Sequence, residues 1–202
     1  MNLTNEYYYF PEAIDKKTCN KIIELGDKGF AEAKVGHRGT ARLDKQIRIS
    51  KVAWSNDQWL YDLIWPYMEE ANAQSGWKYD IKAAESVQIT RYEKGGFFTF
   101  HQDGKSDNLS AYNLPENNFL HGNVRKLTMA ITLNDDFEGG GFQFVTLLEK
   151  GGASNIYTPD FNKAATLGSI MVFPSFMMHR VEPVTKGTRY SFVLWFVGPP
   201  FK

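Results

Sequence analysis

The hydrophobic pattern of the chain changes near Trp77, and this change constrains the fold more than any other feature. Beyond Trp77, apolar side chains alternate with small or polar ones over short segments that end in turns containing Gly or Pro, which is typical of β-strands. Several short strands without long helices between them favour a sandwich or jelly roll over an α/β fold. The clearest segments are ESVQITRY, FFTFH, KLTMAITLN, GFQFVTLL, GSIMVFP and TRYSFVLWFV.

The segment KLTMAITLN has one face of large side chains and one of small side chains, because successive residues of a strand point to opposite faces. This division predicts a barrel wall whose small face looks into an interior that can hold a ligand. The large face consists of Leu127, Met129, Ile131 and Leu133, and the small face of Thr128, Ala130 and Thr132.

The first third of the chain is predicted to be mainly helical. From Cys19, apolar residues recur with helical spacing in DKKTCNKIIELGDKG, where Asp15 or Thr18 can cap the start and Gly26 suits the position after the end. A second helix is predicted in SNDQWLYDLIWPYMEEANAQSG, and Pro66 should kink or divide it. The polar stretch between the helices, VGHRGTARLDKQIRIS, is predicted to be an exposed loop.

The composition limits the partners and the location of the protein. The 202 residues include 23 basic and 23 acidic ones, and a net charge of zero argues against a dedicated nucleic-acid or membrane surface. Cys19 is the only cysteine, so no disulfide can form within the chain, which favours a reducing compartment. The sequence shows neither a signal-like leader nor an apolar run of about 18 residues, and we therefore expect a cytoplasmic protein.

Three residues form the pattern with the clearest chemical meaning. His101 and Asp103, in FFTFHQDG, point the same way if their segment is extended, and His179 stands at the end of another apolar run. Two histidines and one carboxylate that leave metal positions open are typical of non-haem Fe(II) oxygenases. Of the four histidines, the remaining two, His37 and His121, lie in polar loops, where an ordinary solvated or capping role is expected.

Arg189 follows His179 at the start of the apolar segment YSFVLWFV. A buried guanidinium must be paired, and it can hold a carboxylate through two parallel hydrogen bonds. We expect the partner to be the distal carboxylate of a dicarboxylate cosubstrate, and the alternative is a structural salt bridge to an acidic side chain. Strand alternation places Arg189, Ser191, Val193 and Trp195 on one face.

Three segments, about half of the chain, together resemble the prolyl 4-hydroxylase-type branch of the Fe(II)/2-oxoglutarate dioxygenases, which includes the PKHD-type and the oxygen-sensing prolyl hydroxylases. They read ITRYEKGGFFTFHQDG, LTMAITLNDDFEGGGFQF and GSIMVFPSFMMHRVEPVTKGTRYSFVLWFVG, and IRISKVAWSNDQW resembles the arginine–serine segment before the first core strand of such enzymes. The resemblance implies a single domain over residues 1–202. Its core, residues 77–202, would be a double-stranded β-helix, the cupin-like jelly roll, and residues 1–76 would give helical support, so the chain would be mainly β with flanking α.

The resemblance also implies the cofactors and the residues that hold them. Fe(II) would be bound by His101, Asp103 and His179, and Arg189 would bind the C5 carboxylate of 2-oxoglutarate. Dioxygen is the second cosubstrate, and ascorbate is expected as a further cofactor.

Three more residues match positions near the cosubstrate in such enzymes. Tyr92 matches a tyrosine that reaches into the active site, although a tyrosine at the edge of the core is the alternative. Thr132 stands where some relatives have a tyrosine that contacts the C5 carboxylate, and because its hydroxyl is shorter, a direct contact and one through water are both open. Trp195 matches a tryptophan near the cosubstrate, and a core tryptophan is an equally good interpretation.

The implied reaction is hydroxylation of a prolyl residue in a protein or peptide, with release of succinate and CO2. The carboxylate of Asp103 favours hydroxylation, since related halogenases lack this ligand. The alternative acceptors are a lysyl residue and a free amino acid. The alternative to an enzyme is a metal-binding jelly roll without catalysis. A zinc hydrolase would leave Arg189 unexplained. The expected substrate-facing elements are Arg38, Arg42, Trp54 and the loop over residues 107–118. This loop belongs to a longer segment, residues 105–123, which is predicted to be a mobile lid.

Overall fold

The computed structural model describes residues 5–36, 41–146, 155–157 and 166–201. The helices are α1 (Lys16–Asp27) and α2 (Gln58–Gln74). The strands are β1 (Tyr8–Phe10), β2 (Ala31–Glu32), β3 (Arg48–Ile49), β4 (Lys51–Ser55), β5 (Ala83–Ala84), β6 (Val87–Tyr92), β7 (Phe97–His101), β8 (Val124–Thr132), β9 (Glu138–Gly139), β10 (Phe142–Thr146), β11 (Asn155–Tyr157), β12 (Ile170–Pro174), β13 (His179–Val181), β14 (Val184–Lys186) and β15 (Arg189–Gly198). Among the described helices, none is long and apolar enough to cross a membrane.

The strands form two antiparallel sheets with a cavity between them. The major sheet has the order β1-β12-β8-β15-β6-β4-β2, with β5 paired to the end of β15, and the minor sheet has the order β11-β10-β13-β7-β3. Strands β9 and β14 form a separate two-stranded antiparallel sheet. Strands are present in all of the predicted alternating segments, and the predicted jelly roll is confirmed.

The two faces of β8 separate the core from the cavity, as the alternation predicted. The large residues of β8 pack with α1, α2 and the outward side chains of β12 and β15 in the main hydrophobic cluster. Burying each such aliphatic side chain contributes about 1.5–3 kcal/mol, so this cluster fixes the helices on the outer face of the major sheet. The small residues Thr128, Ala130 and Thr132 face the cavity instead.

Helix α1 begins at one of the two predicted caps but ends later than predicted. The side chain of Asp15 caps the helix by accepting the Thr18 N–H at 2.9 Å. Gly26 was predicted to follow the helix, but it lies inside it, where a Cβ would stand 2.8 Å from Ile89 Cγ2 and 2.9 Å from the Phe30 ring. Gly26 is therefore needed for close packing of the helix on β6. Helix α2 is not divided at Pro66.

The stretch before β4 is the main local error of the sequence interpretation. It was predicted to be an exposed loop over residues 35–50, yet its last residues form β3, which pairs with β7 of the minor sheet. Arg48 and Ser50 are buried, and the Arg48 Nε donates to Ser50 Oγ at 2.7 Å. A two-residue strand is too short to show alternation, so the pattern could not reveal it. The first 76 residues also provide β1, β2 and β4 to the major sheet.

Substituting Gly26 with Ala should destabilise the protein. Helix propensity alone would stabilise it by about 0.5–1 kcal/mol, but the added methyl collides with Ile89 and Phe30, and overpacking of a core costs about 1–3 kcal/mol. Urea unfolding measures the difference in the free energy of unfolding between Gly26→Ala and the parent. Gly29→Ala is the matched control, because a Cβ at Gly29 meets nothing within 4 Å. A Gly26→Ala protein more stable than the parent would contradict the close approach.

Candidate active site

Three potential metal ligands converge between the sheets. Strands β7 and β13 pair with His101 opposite His179, and Asp103 follows β7 directly. The Asp103 carboxylate lies with Oδ1 3.6 Å from His101 Nε2 and Oδ2 3.5 Å from His179 Nε2. One ligand atom of each residue lies within 4.8 Å of the others, a spacing that can hold one metal ion.

The backbone fixes the orientation of both imidazole rings. Nδ1 of His101 lies 2.8 Å from the Thr99 carbonyl oxygen, and Nδ1 of His179 lies 2.8 Å from that of Met177. A nitrogen facing a carbonyl oxygen carries the proton, so Nε2 of each ring has its lone pair free on the side of Asp103. Burial lowers the pKa of His179 to about 4 against the opposing pull of Asp103, so this ring is neutral at neutral pH.

The Asp103 carboxylate is held by the opposite sheet. The Thr128 hydroxyl donates to Oδ2 at 2.9 Å and lies 3.0 Å from the Ser175 hydroxyl, while the Asp103 N–H donates to the Ser175 carbonyl at 3.0 Å. Burial alone would raise the pKa of Asp103, but the neighbouring His179 and His101 outweigh it and hold that pKa well below its usual range. The ligand is therefore an ionised carboxylate with a fixed orientation.

A half-buried ion pair behind Asp103 was missed by the sequence interpretation. Arg125 Nη2 donates to Glu85 Oε2 at 2.7 Å, and its Nη1 donates to the Asp103 backbone carbonyl at 3.0 Å. The guanidinium also stacks on the Trp195 ring at 3.8 Å. Gly104 permits this arrangement, because a Cβ there would stand 2.9 Å from Arg125 Cβ. The sequence signal that could have revealed this ion pair is an arginine near the start of an apolar strand, the same signal that indicated Arg189.

The long segment after Asp103 is joined to the same ion pair. The Tyr112 hydroxyl donates to Glu85 Oε1 at 2.6 Å, and Tyr112 forms an isolated bridge with His121. His121 is exposed, and its Nδ1 accepts the Leu114 N–H at 3.2 Å, in agreement with the expected capping role. The predicted mobility of residues 105–123 stays a prediction.

Arg189 is buried in the pocket that the three ligands line, here called the metal-ligand pocket. Its guanidinium carbon lies 5.6 Å from the centre of the Tyr92 ring, and burial lowers its pKa without a carboxylate to oppose it. No acidic side chain among the described residues forms an ion pair with it, so the structural salt bridge is not found there. Gly140, at φ 64°, gives Arg189 room, because a Cβ would stand 2.9 Å from Arg189 Cδ.

The other predicted cosubstrate residues divide between two cavities. Tyr92 and Trp195 line the metal-ligand pocket, together with Arg48, which was not predicted as a site residue. Trp195 Nε1 is buried and has no hydrogen-bond partner within the described structure. Thr132 lines an adjoining cavity that Arg189 also lines.

The expected substrate-facing residues are scattered. Trp54 is 56% exposed with its ring 6.2 Å from that of Trp195, which places it at the mouth of the pocket. Arg42 is exposed and pairs with Asp44 at 3.1 Å, and it does not line the pocket. Arg38 and His37 lie outside the described residues.

The donor set fits the implied metal and cosubstrate. Two imidazole nitrogens and one carboxylate on one side of an ion are the ligands that Fe(II) takes in oxygenases, with positions left for other molecules. A buried guanidinium in the same pocket suits an anionic, oxygen-rich partner. The arrangement can therefore hold Fe(II) and a dicarboxylate side by side.

Comparison with known proteins agrees with this site. The PKHD-type hydroxylase of Gloeothece citriformis is 34% identical over 110 residues, which are 54% of this chain and 41% of that protein. A PKHD-type hydroxylase of Idiomarina loihiensis is 28% identical over 91% of this chain and 73% of its own length. This chain thus spans less than half of the first relative.

Solved structures share the fold. The viral collagen prolyl hydroxylase of Paramecium bursaria Chlorella virus-1 is 18% identical, with a TM-score of 0.63 over 96% of this chain and 97% of that one. A prolyl hydroxylase of Trichoplax adhaerens, solved with a peptide fragment of hypoxia inducible factor, is 18% identical, with a TM-score of 0.68 over 96% of this chain and 84% of that one. The family model of the 2OG-Fe(II) oxygenase superfamily matches residues 87–197, more than half of the chain, and the protein belongs to that superfamily.

Proposed function

We propose that this protein is an Fe(II)- and 2-oxoglutarate-dependent dioxygenase that hydroxylates a prolyl residue of a protein or peptide and releases succinate and CO2. One observation carries the proposal: the His101–Asp103–His179 cluster shares its pocket with the buried Arg189, for which the described residues offer no carboxylate. Family membership and the prolyl hydroxylases among the similar proteins support it.

The chain's own residues have distinct tasks in this proposal. His101, Asp103 and His179 would hold the iron, which when bound supplies dioxygen activation coupled to oxidative decarboxylation of 2-oxoglutarate. Arg189 binds the C5 carboxylate of the cosubstrate through charge-assisted hydrogen bonds. The walls that exclude water from the reacting atoms are apolar, and they include Phe98, Phe142, Phe173, Val181 and Val193.

A peptide is the proposed substrate because a structural neighbour was solved with a peptide fragment and another is a collagen prolyl hydroxylase. The exposed Trp54 and the loop over residues 107–118 would flank that peptide. A lysyl residue or a free amino acid are the alternatives for the acceptor. The same proposal includes a single domain over residues 1–202, a role for ascorbate and a cytoplasmic location. These three points rest on the family resemblance and the sequence composition.

Anaerobic addition of Fe(II) and then 2-oxoglutarate should produce a weak visible charge-transfer band, because both molecules would share one site. Succinate formation in air should then increase with prolyl peptides more than with matched lysyl peptides or free proline. A protein that binds Fe(II) but gives neither a band nor succinate with any acceptor would favour the non-catalytic, metal-binding alternative.

His179→Ala should abolish succinate formation and leave the fold intact, because the side chain lies at a strand end of the minor sheet and outside the main hydrophobic cluster. Succinate formation tests the loss of activity, and the midpoint of urea unfolding tests whether the fold is intact. His121→Ala is the control, since His121 is exposed and only accepts one backbone N–H. Full turnover in His179→Ala would rule out its role as a ligand.

Arg189 should set the affinity for 2-oxoglutarate more than the affinity for iron. Arg189→Lys keeps the charge but loses the planar pair of donors, so cosubstrate binding should weaken while Fe(II) still binds. Arg189→Met should weaken it more, by about 2–5 kcal/mol, because a buried carboxylate is left unpaired. Calorimetric titration of 2-oxoglutarate into the Fe(II) protein measures both. Unchanged binding in both variants would make Arg189 a structural residue.

A further inference from the structure

The segment that leads from β2 into β4 carries a large share of the positive charge of the chain. Six of the 23 basic residues lie within residues 34–51, whereas the same stretch contains a single acidic residue, Asp44. Because the total charge is zero, the remainder of the chain is net acidic. We call residues 34–51 the basic segment. Its six cations are Lys34, Arg38, Arg42, Lys45, Arg48 and Lys51.

Carboxylates compensate only part of this charge in the folded protein. Arg42 pairs with Asp44 at 3.1 Å, and Lys51 pairs with Glu93 at 3.3 Å. The other cations in the described part of the segment form no ion pair with a described carboxylate, and they are Lys34, Lys45 and Arg48. Since both lysines among these three are exposed, the segment presents uncompensated positive charge to the solvent.

The fold holds the basic segment beside the metal-ligand pocket. In a turn before β3, the N–H groups of Ile47 and Arg48 both donate to the Asp44 carbonyl, at 3.1 and 2.9 Å. The Ile47 carbonyl in turn accepts the Thr99 N–H at 2.9 Å. The Thr99 carbonyl is the group that orients the His101 ring, so the turn is fixed next to a metal ligand.

Lys45, in this turn, lies close enough to the pocket to act on a polypeptide bound there. It precedes Arg48, which lines the pocket, by three residues, and three residues of chain span at most about 11 Å. An extended peptide advances about 3.3 Å per residue, so a carboxylate three or four positions from a residue at the metal ligands lies about 10–13 Å away along the peptide. The two distances match, which puts such a carboxylate within reach of the lysine.

Exposed apolar side chains accompany these cations. Leu43 is 53% exposed, Ile49 is 38% exposed, and Trp54 at the mouth of the pocket is 56% exposed. A surface of apolar and positive groups suits a polypeptide with apolar and acidic residues, whereas a free amino acid would not extend beyond the pocket. Nucleic acid suits it less well, because such binding neutralises several phosphates and two of the described cations already have a carboxylate partner.

We propose that the basic segment is a docking surface for an acidic polypeptide substrate, in which Lys45 and Arg42 face carboxylates three or four positions from the residue that is hydroxylated. This inference rests on the proposed function and narrows its substrate class. Complementary charge raises the rate of encounter and selects against basic partners. Each surface ion pair changes a Kd by at most about fivefold, so the expected preference is moderate.

The test measures, by fluorescence anisotropy, the binding of labelled peptides to the anaerobic protein loaded with Fe(II) and 2-oxoglutarate. Three peptides share one central prolyl sequence and carry glutamate, glutamine or lysine at the third and fourth positions on either side of the proline. The glutamate peptide should bind about five- to tenfold more tightly than the glutamine peptide, and the lysine peptide should bind most weakly. The differences should shrink as salt is raised from about 50 to about 500 mM, because exposed charges are screened.

Lys45→Glu should remove the preference. The affinity for the glutamate peptide should fall to that for the glutamine peptide or below, while the glutamine peptide should bind within about twofold of its affinity for the parent. Lys17→Glu is the matched control, since it makes the same change in net charge at an exposed position of α1, on the outer face of the major sheet, and it should keep the preference. Neither lysine lines the metal-ligand pocket, so both variants should bind 2-oxoglutarate as the parent does.

Three results would overturn the docking surface. One is equal affinity for the three peptides, or no binding of any, in a protein that binds Fe(II) and 2-oxoglutarate. Another is an equal loss of the preference in Lys17→Glu, which would mean that only net charge matters. The third is a labelled single-stranded oligonucleotide that binds more tightly than the glutamate peptide and loses affinity in Lys45→Glu, which would assign the surface to nucleic acid. A parent protein that binds Fe(II) but not 2-oxoglutarate would instead overturn the proposed function, and this inference with it, so the two failures are distinguishable.

Discussion

The ionised carboxylate of Asp103 is the group on which the rest of the site depends. Its side chain is 8% exposed, and a buried charge costs several kcal/mol unless its surroundings compensate it. Compensation comes from the major sheet: the Thr128 hydroxyl donates to the carboxylate, and the nearby Arg125 guanidinium lowers its pKa. The charge therefore sets the relative position of the two sheets at this end of the barrel.

The ion pair behind Asp103 extends this constraint to the long segment that follows it. Arg125 contacts the Asp103 carbonyl and Glu85, and Glu85 accepts the Tyr112 hydroxyl. The Arg125–Glu85 ion pair includes charge-assisted hydrogen bonds, which are stronger than a hydrogen bond between neutral groups. The segment is thus tied through Tyr112 to the same ion pair that holds the Asp103 carbonyl.

What the sequence could predict follows from how far each pattern extends along the chain. The nine-residue strand β8 and the ten-residue strand β15 show full alternation, and so the cavity-facing residues Thr128, Arg189 and Trp195 were placed correctly. Strand β3 has two residues, and no periodicity can be read from it. Glu85 and Arg125 are 40 residues apart, and their pairing depends on the approach of two strands that local patterns do not encode.

The two sheets divide the chemistry between them, and the N-terminal part of the chain contributes to both. The minor sheet carries the metal ligands, whereas the major sheet carries Arg189 at the first residue of β15. Into this arrangement the first 76 residues bring Arg48, which lines the pocket with the metal ligands, and Tyr9, which lines the adjoining cavity. A region predicted to be only helical support therefore lines both cavities. In the described part of the chain, β1 and β3 are edge strands, each paired with one neighbour. The side chains of these two strands are therefore where the N-terminal region meets the site, Arg48 in the metal-ligand pocket and Tyr9 in the adjoining cavity.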